Sequence, residues 1–125
     1  MKLHLHQTEQ LNRIRALTRL DHGFLLKIGD TDYTRSLILT PEKLEMWEVN
    51  RVSELNQADF EKLAGLNAEV IILGTGSTMV FPDPKITQPL MQSGTGLEVM
   101  DTPAACRTYN ILRGDDRRVA AGLIL

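Results

Sequence analysis

Residues 94–113 read GTGLEVMDTPAACRTYNILR, and they place a strand directly before a helix. The apolar LEVM segment is typical of a strand, and Thr102 followed by Pro103 is a strong helix start. The Thr102 hydroxyl can accept a hydrogen bond from a first-turn N–H, and proline needs no N–H at the first helical position. Asp101 adds a negative charge beside the positive end of the helix. The segment predicts a strand that runs into a helix over Thr102–Leu112.

Apolar runs on both sides of this unit predict the rest of a sheet. EVIILG is continuous and rich in β-branched residues, as expected for a strand buried on both faces. RRVAAGLIL follows the helix and reads as a further strand. We therefore predict that Val70–Leu73, Leu97–Met100 and Val119–Leu123 are strands of one sheet, with the helix packed on its face.

Two more helices are predicted upstream of residue 94. NQADFEKLAGLN has Asn56 as a candidate N-cap and Gly65 as a natural end. PDPKITQPLMQSG could begin a helix with Asp83 as the cap and Pro84 at its first position. Pro89 would then lie inside this helix and remove a hydrogen bond, so we expect it to be short or kinked.

The N-terminal half alternates apolar and polar residues, which is typical of antiparallel strands. FLLKIGDTDYTRSLIL predicts a hairpin that turns at Gly29–Asp30, with Leu37 and Leu39 on the returning strand. Ile14–Leu20 and Leu44–Val49 are predicted as two more strands. The fold class is therefore α/β, with an antiparallel N-terminal part and crossover units after it.

Length and composition limit the class of protein. The 125 residues fit one domain spanning 1–125, and 42% hydrophobic with 24% charged residues is ordinary globular composition. The formal net charge is -2 and no Lys/Arg run stands out, so nucleic acid is excluded as the expected partner. The opening MKLHLHQTEQ lacks the apolar region of a signal peptide, and VAAGLIL is too short to span a membrane. We expect a soluble, cytoplasmic protein.

The helical period divides the helix after residue 101 into two faces. We expect the side with smaller residues to lie on the sheet, because small side chains allow close approach. That side contains Ala104, Ala105, Thr108, Ile111 and Leu112. The opposite side contains Cys106, Tyr109, Asn110 and Arg113.

Cys106 is either a catalytic nucleophile or a structural residue. Its position in the first helical turn lowers the pKa of a thiol, but a thiol nucleophile also needs a base within reach. His4, His6 and His22 all lie in the N-terminal segment, and nothing in the sequence brings one of them to Cys106. We interpret Cys106 as structural, at least half buried and slow to alkylate. His4 and His6 have no third ligand at a suitable spacing, so neither a metal nor another cofactor is expected.

The segment ILGTGST is a second candidate site. Ligands collect beyond the carboxyl ends of strands in α/β sheets, and glycines allow close approach to backbone N–H groups. If the strands that end at Gly74 and Met100 are parallel neighbours, the glycine turn and the helix N-terminus meet around one crevice that would favour an anion or carboxylate. The alternative is a tight strand exit that serves packing alone. The predicted ligand-binding residues are Gly74, Thr75, Gly76, Ser77, Thr102 and Arg107.

The chain resembles a family of small domains of unknown function. The similarity is carried by Glu98–Thr102, Ala104–Asn110, Arg118–Ala121 and the upstream Gly74–Gly76. The family includes a mitochondrial respiratory complex I assembly factor and an adipogenesis-associated protein, and this chain is similar to its bacterial branch. The resemblance implies a three-layer α/β fold, with a central mixed sheet of about five strands and a small antiparallel β appendage.

Two hypotheses about function follow. The resemblance implies no reaction and no catalytic residues, and its assembly-factor member acts by binding other proteins. The first hypothesis is a non-enzymatic protein-binding module, similar to an assembly factor, with a homodimer left open. The second is a protein, or an enzyme, that binds a small molecule or anion at Gly74–Ser77 and Thr102. An exposed apolar patch would favour the first, and a concave pocket with convergent polar groups the second.

Overall fold

The computed structural model describes residues 12–125 of the chain. The strands are β1 (Ile14–Arg19), β2 (Phe24–Ile28), β3 (Thr31–Tyr33), β4 (Leu37–Leu39), β5 (Leu44–Met46), β6 (Val70–Gly74), β7 (Gly96–Met100) and β8 (Val119–Leu123). The α-helices are α1 (Gln57–Ala64), α2 (Gln88–Ser93) and α3 (Thr102–Gly114), and a 3-10 turn at Val52–Glu54 precedes α1.

The main sheet has five strands in the order β5-β4-β8-β6-β7. Strand β6 is parallel to both β7 and β8, so Val70 lies opposite Gly96 on one side and Val119 on the other. Strand β4 is antiparallel to β8 and to β5, which makes the sheet mixed. The prediction that the runs near residues 70, 97 and 119 form one sheet is confirmed.

A separate antiparallel sheet contains β1, β2 and β3. The predicted turn at Gly29–Asp30 is present, but the returning strand is Thr31–Tyr33. The prediction that Leu37 and Leu39 return in this hairpin is wrong, because β4 pairs with β8 and β5 in the main sheet. All three residues of β4 are buried, so this strand has apolar side chains on both of its faces. Such a strand is stable inside a sheet that is covered on both sides, and not in a hairpin with one face in solvent.

The main sheet separates two apolar cores and makes the fold three-layered. Alternate residues of β6 point to opposite faces, so Ile72 belongs to one core while Ile71 and Leu73 belong to the other. The first core lies under α3 and the smaller sheet. The second lies under α1 and α2 and contains Trp47 and Phe60. The predicted fold class, an α/β fold with a small antiparallel β appendage, is confirmed.

The predicted start of α1 is confirmed. The Asn56 side chain accepts a hydrogen bond from the N–H of Asp59 at 3.1 Å, and the Asp59 carboxylate accepts from the N–H of Asn56 at 2.9 Å. This reciprocal capping box satisfies two N–H groups at the helix start. Gly65 follows the last helical residue, as expected.

The predicted start of α2 is wrong. Asp83 accepts from the N–H of Lys85 in a turn, and the helix begins only at Gln88. Pro89 sets this start, because a proline fits the first helical turn but would break a helix that began at Pro84. The helix is short, as predicted, and has six residues.

Two predictions about α3 also need correction. Asp101, and not Thr102, is the N-cap, because its carboxylate accepts from the N–H of Ala104 at 2.9 Å. The predicted faces are wrong as well, since Cys106 and Tyr109 are buried while Ile111 is 64% exposed. Polar groups on the buried face have partners on or just before β1; for example, the Tyr109 hydroxyl donates to the backbone oxygen of Asn12 at 3.1 Å. The smaller sheet covers this side, which the helical period alone does not indicate.

Candidate functional site

The glycine turn after β6 meets the start of α3. The Thr102 hydroxyl accepts a hydrogen bond from the N–H of Gly76 at 2.8 Å and donates to the carbonyl oxygen of Ile124 at 2.7 Å. The N–H of Thr102 donates to the carbonyl oxygen of Gly76, also at 2.8 Å. The two segments therefore lie at the same edge of the sheet. Thr102 is fully buried, so its hydroxyl joins these segments and does not face solvent.

The N–H groups at the start of α3 are already engaged. Thr102 donates to Gly76, Pro103 has no N–H, and Ala104 donates to the Asp101 carboxylate. The N–H of Ala105 donates to the backbone oxygen of Asp101 at 2.9 Å. An anion at a helix N-terminus is held by unpaired N–H groups, and the first turn of α3 has none to offer.

The glycine turn serves packing as well. A Cβ atom on Gly74 would lie 3.0 Å from both the Ala105 Cβ and the Thr102 Oγ1, which is tighter than ordinary contact. The Thr75 hydroxyl lies 2.5 Å from the carbonyl oxygen of Thr78 and accepts from the N–H of Val80 at 3.2 Å. Gly74 thus allows α3 to approach β6, and Thr75 holds the loop that follows in a defined shape.

A cleft of about 410 Å³ opens beside this loop. The loop at Thr75–Thr78, the turn between β1 and β2, Asn50–Arg51 and Ile124–Leu125 line it. Of the six predicted site residues, Thr75, Gly76 and Ser77 line the cleft, and Gly74 and Thr102 are buried outside the lining. Arg107 is exposed and is not a lining residue.

The sequence interpretation missed the charged lining, which consists of Arg19, Asp21 and Arg51 together with the carboxamide of Asn50. These residues precede Gly74 by 23 or more positions, and no local motif connects them to the glycine turn. The turn between β1 and β2 reaches the edge of the main sheet because the N–H of Phe24 donates to the carbonyl oxygen of Leu125 at 3.2 Å.

Three consecutive apolar side chains are exposed at the end of the same loop. Met79, Val80 and Phe81 have relative exposures of 55%, 44% and 69%, and they directly follow the lining residue Thr78. We refer to Met79–Phe81 as the exposed apolar segment. Pro82, the next residue, is buried, so the chain returns to the body of the domain at once.

Cys106 lies in the core, with a relative exposure of 4%. The predicted burial of at least one half is confirmed. Burial raises the pKa of the thiol from 9.0 to about 12, and the nearby Arg107 charge lowers it by a smaller amount. Burial also raises the pKa of Tyr109. At neutral pH the thiol is protonated, and a protonated thiol is a poor nucleophile.

Metal-binding and membrane-spanning features were sought in the described part of the chain. Residues 12–125 contain no cluster of three or more His, Cys, Asp or Glu side chains that could hold a metal ion. His4 and His6, which were not expected to bind a metal, lie outside the described residues. Within the same range, no helix has the length and apolar character needed to cross a membrane.

Known proteins are similar to this sequence over most of its length. The family described as "Protein of unknown function (DUF498/DUF598)" matches residues 18–124. The 13 kDa major membrane protein of Francisella tularensis subsp. holarctica (strain LVS) is 26% identical over 103 residues, which cover 81% of this chain and 82% of that protein. NADH dehydrogenase (ubiquinone) 1 alpha subcomplex assembly factor 3 of Xenopus tropicalis is 33% identical over 109 residues. The match covers 86% of this chain and 58% of the assembly factor.

Solved bacterial structures share the fold. The solution structure of a Xanthomonas campestris protein matches this chain with a TM-score of 0.74 and 36% sequence identity. The match covers 87% of this chain and 83% of that protein. A Bordetella pertussis protein described as a Mth938-like domain matches with a TM-score of 0.77 and 27% identity. That match covers 91% of this chain and 85% of the Bordetella chain. The chain spans about half the length of the assembly factors it matches, for example 48% of the Mus musculus protein.

Proposed function

We propose, from the premise that this chain belongs to the family of proteins of unknown function DUF498/DUF598, that it is a non-enzymatic, assembly-factor-like module. It binds another protein through the exposed apolar segment Met79–Phe81. The relatives named as complex I assembly factors support a role in bringing other proteins together. The partner in this case is a protein of the chain's own cell, and we place the binding in the cytoplasm.

The exposed apolar segment is the observation that carries the proposal. Large apolar side chains in contact with water favour association, and three in a row give a partner an apolar segment to cover. The segment has a defined conformation, because the N–H of Val80 donates to the Thr75 hydroxyl and the buried Pro82 follows. A segment that is already ordered loses less conformational entropy when it binds.

The anion-binding alternative has less support. It needs N–H groups at the glycine turn and at the start of α3, but Gly76, Thr102 and Ala104 already donate theirs within the chain. An enzymatic role through Cys106 needs a thiolate, and burial opposes its formation. Protein binding uses side chains that the fold leaves exposed, and so it requires no rearrangement.

A capture experiment tests the proposal. Tagged wild-type protein and the double variant Met79→Ser/Phe81→Ser are incubated with lysate of the native organism, and captured proteins are quantified by mass spectrometry. A matched control is Met91→Ser/Ile111→Ser, which removes two apolar side chains that are 75% and 64% exposed on α2 and α3. We expect at least one protein to be captured by the wild type and the control, but lost with the double variant.

The captured protein is then purified and titrated into the chain by calorimetry, to establish direct binding. Sedimentation of the chain alone is the companion measurement. Capture that is equal for all three proteins contradicts the proposal. So does a wild-type dimer that the double variant abolishes, since a second copy would then occupy the segment. Cell fractionation checks the cytoplasmic location.

A further inference from the structure

Strand β7 forms one edge of the main sheet, and half of its backbone faces away from its neighbour. It is the last strand in the order β5-β4-β8-β6-β7. The N–H of Gly96 donates to the carbonyl oxygen of Glu69 at 3.0 Å, and the carbonyl oxygen of Met100 also accepts from the β6 side at 3.0 Å. Backbone groups alternate in direction along a strand, so those of Leu97 and Val99 point outward from the sheet.

These outward groups are free to pair with another strand. Within residues 12–125, no hydrogen bond from a turn, loop or side chain engages the N–H or carbonyl oxygen of Leu97 or Val99. A row of unpaired N–H and carbonyl groups at a sheet edge is a template for an extended chain. The edge of β7 therefore specifies the conformation of an occupant, which is a strand.

The middle residue of β7, Glu98, specifies the charge of that occupant. Glu98 is exposed, and no ion pair or hydrogen bond in the described part of the chain engages its carboxylate. The opposite edge strand, β5, also has a glutamate in its middle, but there Glu45 forms an ion pair with Lys62 of α1. The fold thus supplies a cation at one edge and leaves the other edge to a partner.

A second copy of the chain does not fit this edge. Antiparallel pairing of two β7 strands that uses every outward group places Leu97 of one copy opposite Val99 of the other. The Glu98 residues of the two copies then face each other as a non-hydrogen-bonded pair, with Cα atoms about 4.5 Å apart. Like charges directly opposite each other are destabilising, so the edge favours a strand with the opposite charge.

The open edge also leads to the exposed apolar segment. The Thr75 hydroxyl lies 3.2 Å from the carbonyl oxygen of Met100, at the carboxyl end of β7, and accepts from the N–H of Val80 at 3.2 Å. One hydroxyl therefore joins the end of β7 to the middle of Met79–Phe81. A chain that lies along β7 meets the segment directly beyond Met100.

We propose that β7 binds the partner by strand addition: an extended, antiparallel segment of the partner pairs with Leu97 and Val99 and places a lysine or arginine opposite Glu98. This inference rests on the proposed function and specifies what the partner presents. An apolar residue lies on each side of the basic one, because Leu97 and Val99 pack against the core under α1 and α2 and stay partly exposed. The partner residues that precede this strand cover Met79–Phe81.

The test is a nuclear magnetic resonance titration with three peptides. These are acetyl-Thr-Val-Lys-Val-Thr amide, the same peptide with glutamate in place of lysine, and the lysine peptide with both valines N-methylated. N-methylation removes the two N–H groups that would donate to Leu97 and Val99. Amide shifts are followed in the wild type, Glu98→Lys and Glu42→Lys. Glu42 is the matched control, because it is exposed and lies between β4 and β5, at the opposite edge of the sheet.

We expect saturable shifts at Leu97 and Val99 with the lysine peptide. The glutamate peptide should bind about fivefold more weakly, because repulsion replaces a cross-strand ion pair. Glu98→Lys reverses this preference and Glu42→Lys keeps it. The N-methylated peptide gives no saturable shift.

Equal binding of the lysine and glutamate peptides, or an N-methylated peptide that binds as tightly as its parent, overturns the inference and leaves the capture result standing. A preference that Glu42→Lys also reverses reflects net charge alone and overturns it too. So does the lack of a saturable shift at Leu97 and Val99 with the lysine peptide. Shifts of these two amides on dilution of the chain alone would place a second copy on the edge, which also overturns it.

Discussion

The Asn110 side chain holds both backbone hydrogen-bonding groups of Ile14. Its Oδ1 accepts from the Ile14 N–H at 3.1 Å, and its Nδ2 donates to the Ile14 carbonyl oxygen at 2.7 Å. A single carboxamide on α3 therefore supplies the two hydrogen bonds that a neighbouring strand would otherwise make with Ile14. This pair of hydrogen bonds is one of the links between the smaller sheet and α3.

Asn110→Ala tests this attachment. Loss of the carboxamide leaves two partly buried backbone groups without partners, so we expect the free energy of unfolding to fall by about 1–3 kcal/mol. Urea denaturation measures the change, and faster exchange of the Ile14 amide hydrogen locates it. Gln92→Ala, at an exposed position on α2, is the control and is expected to change stability by less than about 0.5 kcal/mol. Equal effects of the two variants would contradict the assignment.

Thr102→Val tests the joint between β6 and α3. Valine has nearly the same shape but cannot bond the Gly76 N–H or the Ile124 carbonyl oxygen, so a partly buried donor and a buried acceptor both lose their partner. We expect a loss of about 1–3 kcal/mol in the free energy of unfolding. Thr102→Ser keeps the hydroxyl and should retain most of that stability. If serine and valine are equally destabilising, packing and not hydrogen bonding is the reason for the threonine.

Gly122→Ala tests a close contact with the single tryptophan. A Cβ at this position would lie 2.8 Å from Cζ3 of Trp47, so the indole must move. Overpacking of this kind destabilises by about 1–3 kcal/mol, and it should also shift the tryptophan emission. Gly114→Ala is the matched control, because nothing lies within 4 Å of its added Cβ. We expect that control to be neutral or slightly stabilising, and a loss as large as that of Gly122→Ala would refute the packing explanation.

Because Cys106 is buried, we expect the free energy of unfolding to fall as the pH becomes alkaline. The folded pKa of about 12 exceeds the ordinary value of 9.0, so the folded state keeps a proton that the unfolded state releases. This stabilisation is complete below pH 9.0 and is lost as the pH rises from there toward the folded pKa. We expect about 1 kcal/mol to be lost between about pH 9 and 10, and Cys106→Ala should flatten this slope. Labelling by iodoacetamide near neutral pH as fast as a free peptide thiol would contradict the burial.

The exposed apolar segment should contribute to binding and not to stability. Met79→Ser/Phe81→Ser removes side chains that are 55% and 69% exposed, so the free energy of unfolding should change by less than about 0.5 kcal/mol. Phe60→Ala provides the contrast, because that ring is fully buried and its removal should destabilise by about 3–5 kcal/mol. Thermal unfolding of both variants measures the difference. A large loss in the serine variant would mean that the segment packs against the domain.

The second half of the chain could be predicted because its signals are local. The β-branched run before Gly74 and the proline after Thr102 mark strand and helix over a few residues each. The position of β4 could not be predicted, since Leu37–Leu39 pairs with a strand more than 80 residues later. Its apolar pattern is compatible with either sheet, and only the long-range pairing decides between them.

The candidate site could be predicted only in part, for the same reason. Parallel pairing of β6 and β7 brings Gly76 and Thr102 together, and this followed from the order of the elements. The sequence gives no sign that the Thr102 hydroxyl is used by two backbone groups. It also gives no sign that Arg19 and Arg51 reach the same cleft, because a tertiary contact at Leu125 places the turn between β1 and β2 there.

Strand β8 lies in the centre of the main sheet but is the last of its five strands in the chain. During synthesis, β4 can pair with β5 and β6 with β7, yet these two pairs share no hydrogen bond until Val119–Leu123 has left the ribosome. The inner edges of β4 and β6 stay open for that time, and open edges invite misassembly. A chain that stops before residue 119 would hold two unjoined halves of a sheet, and would be a substrate for chaperones and proteases.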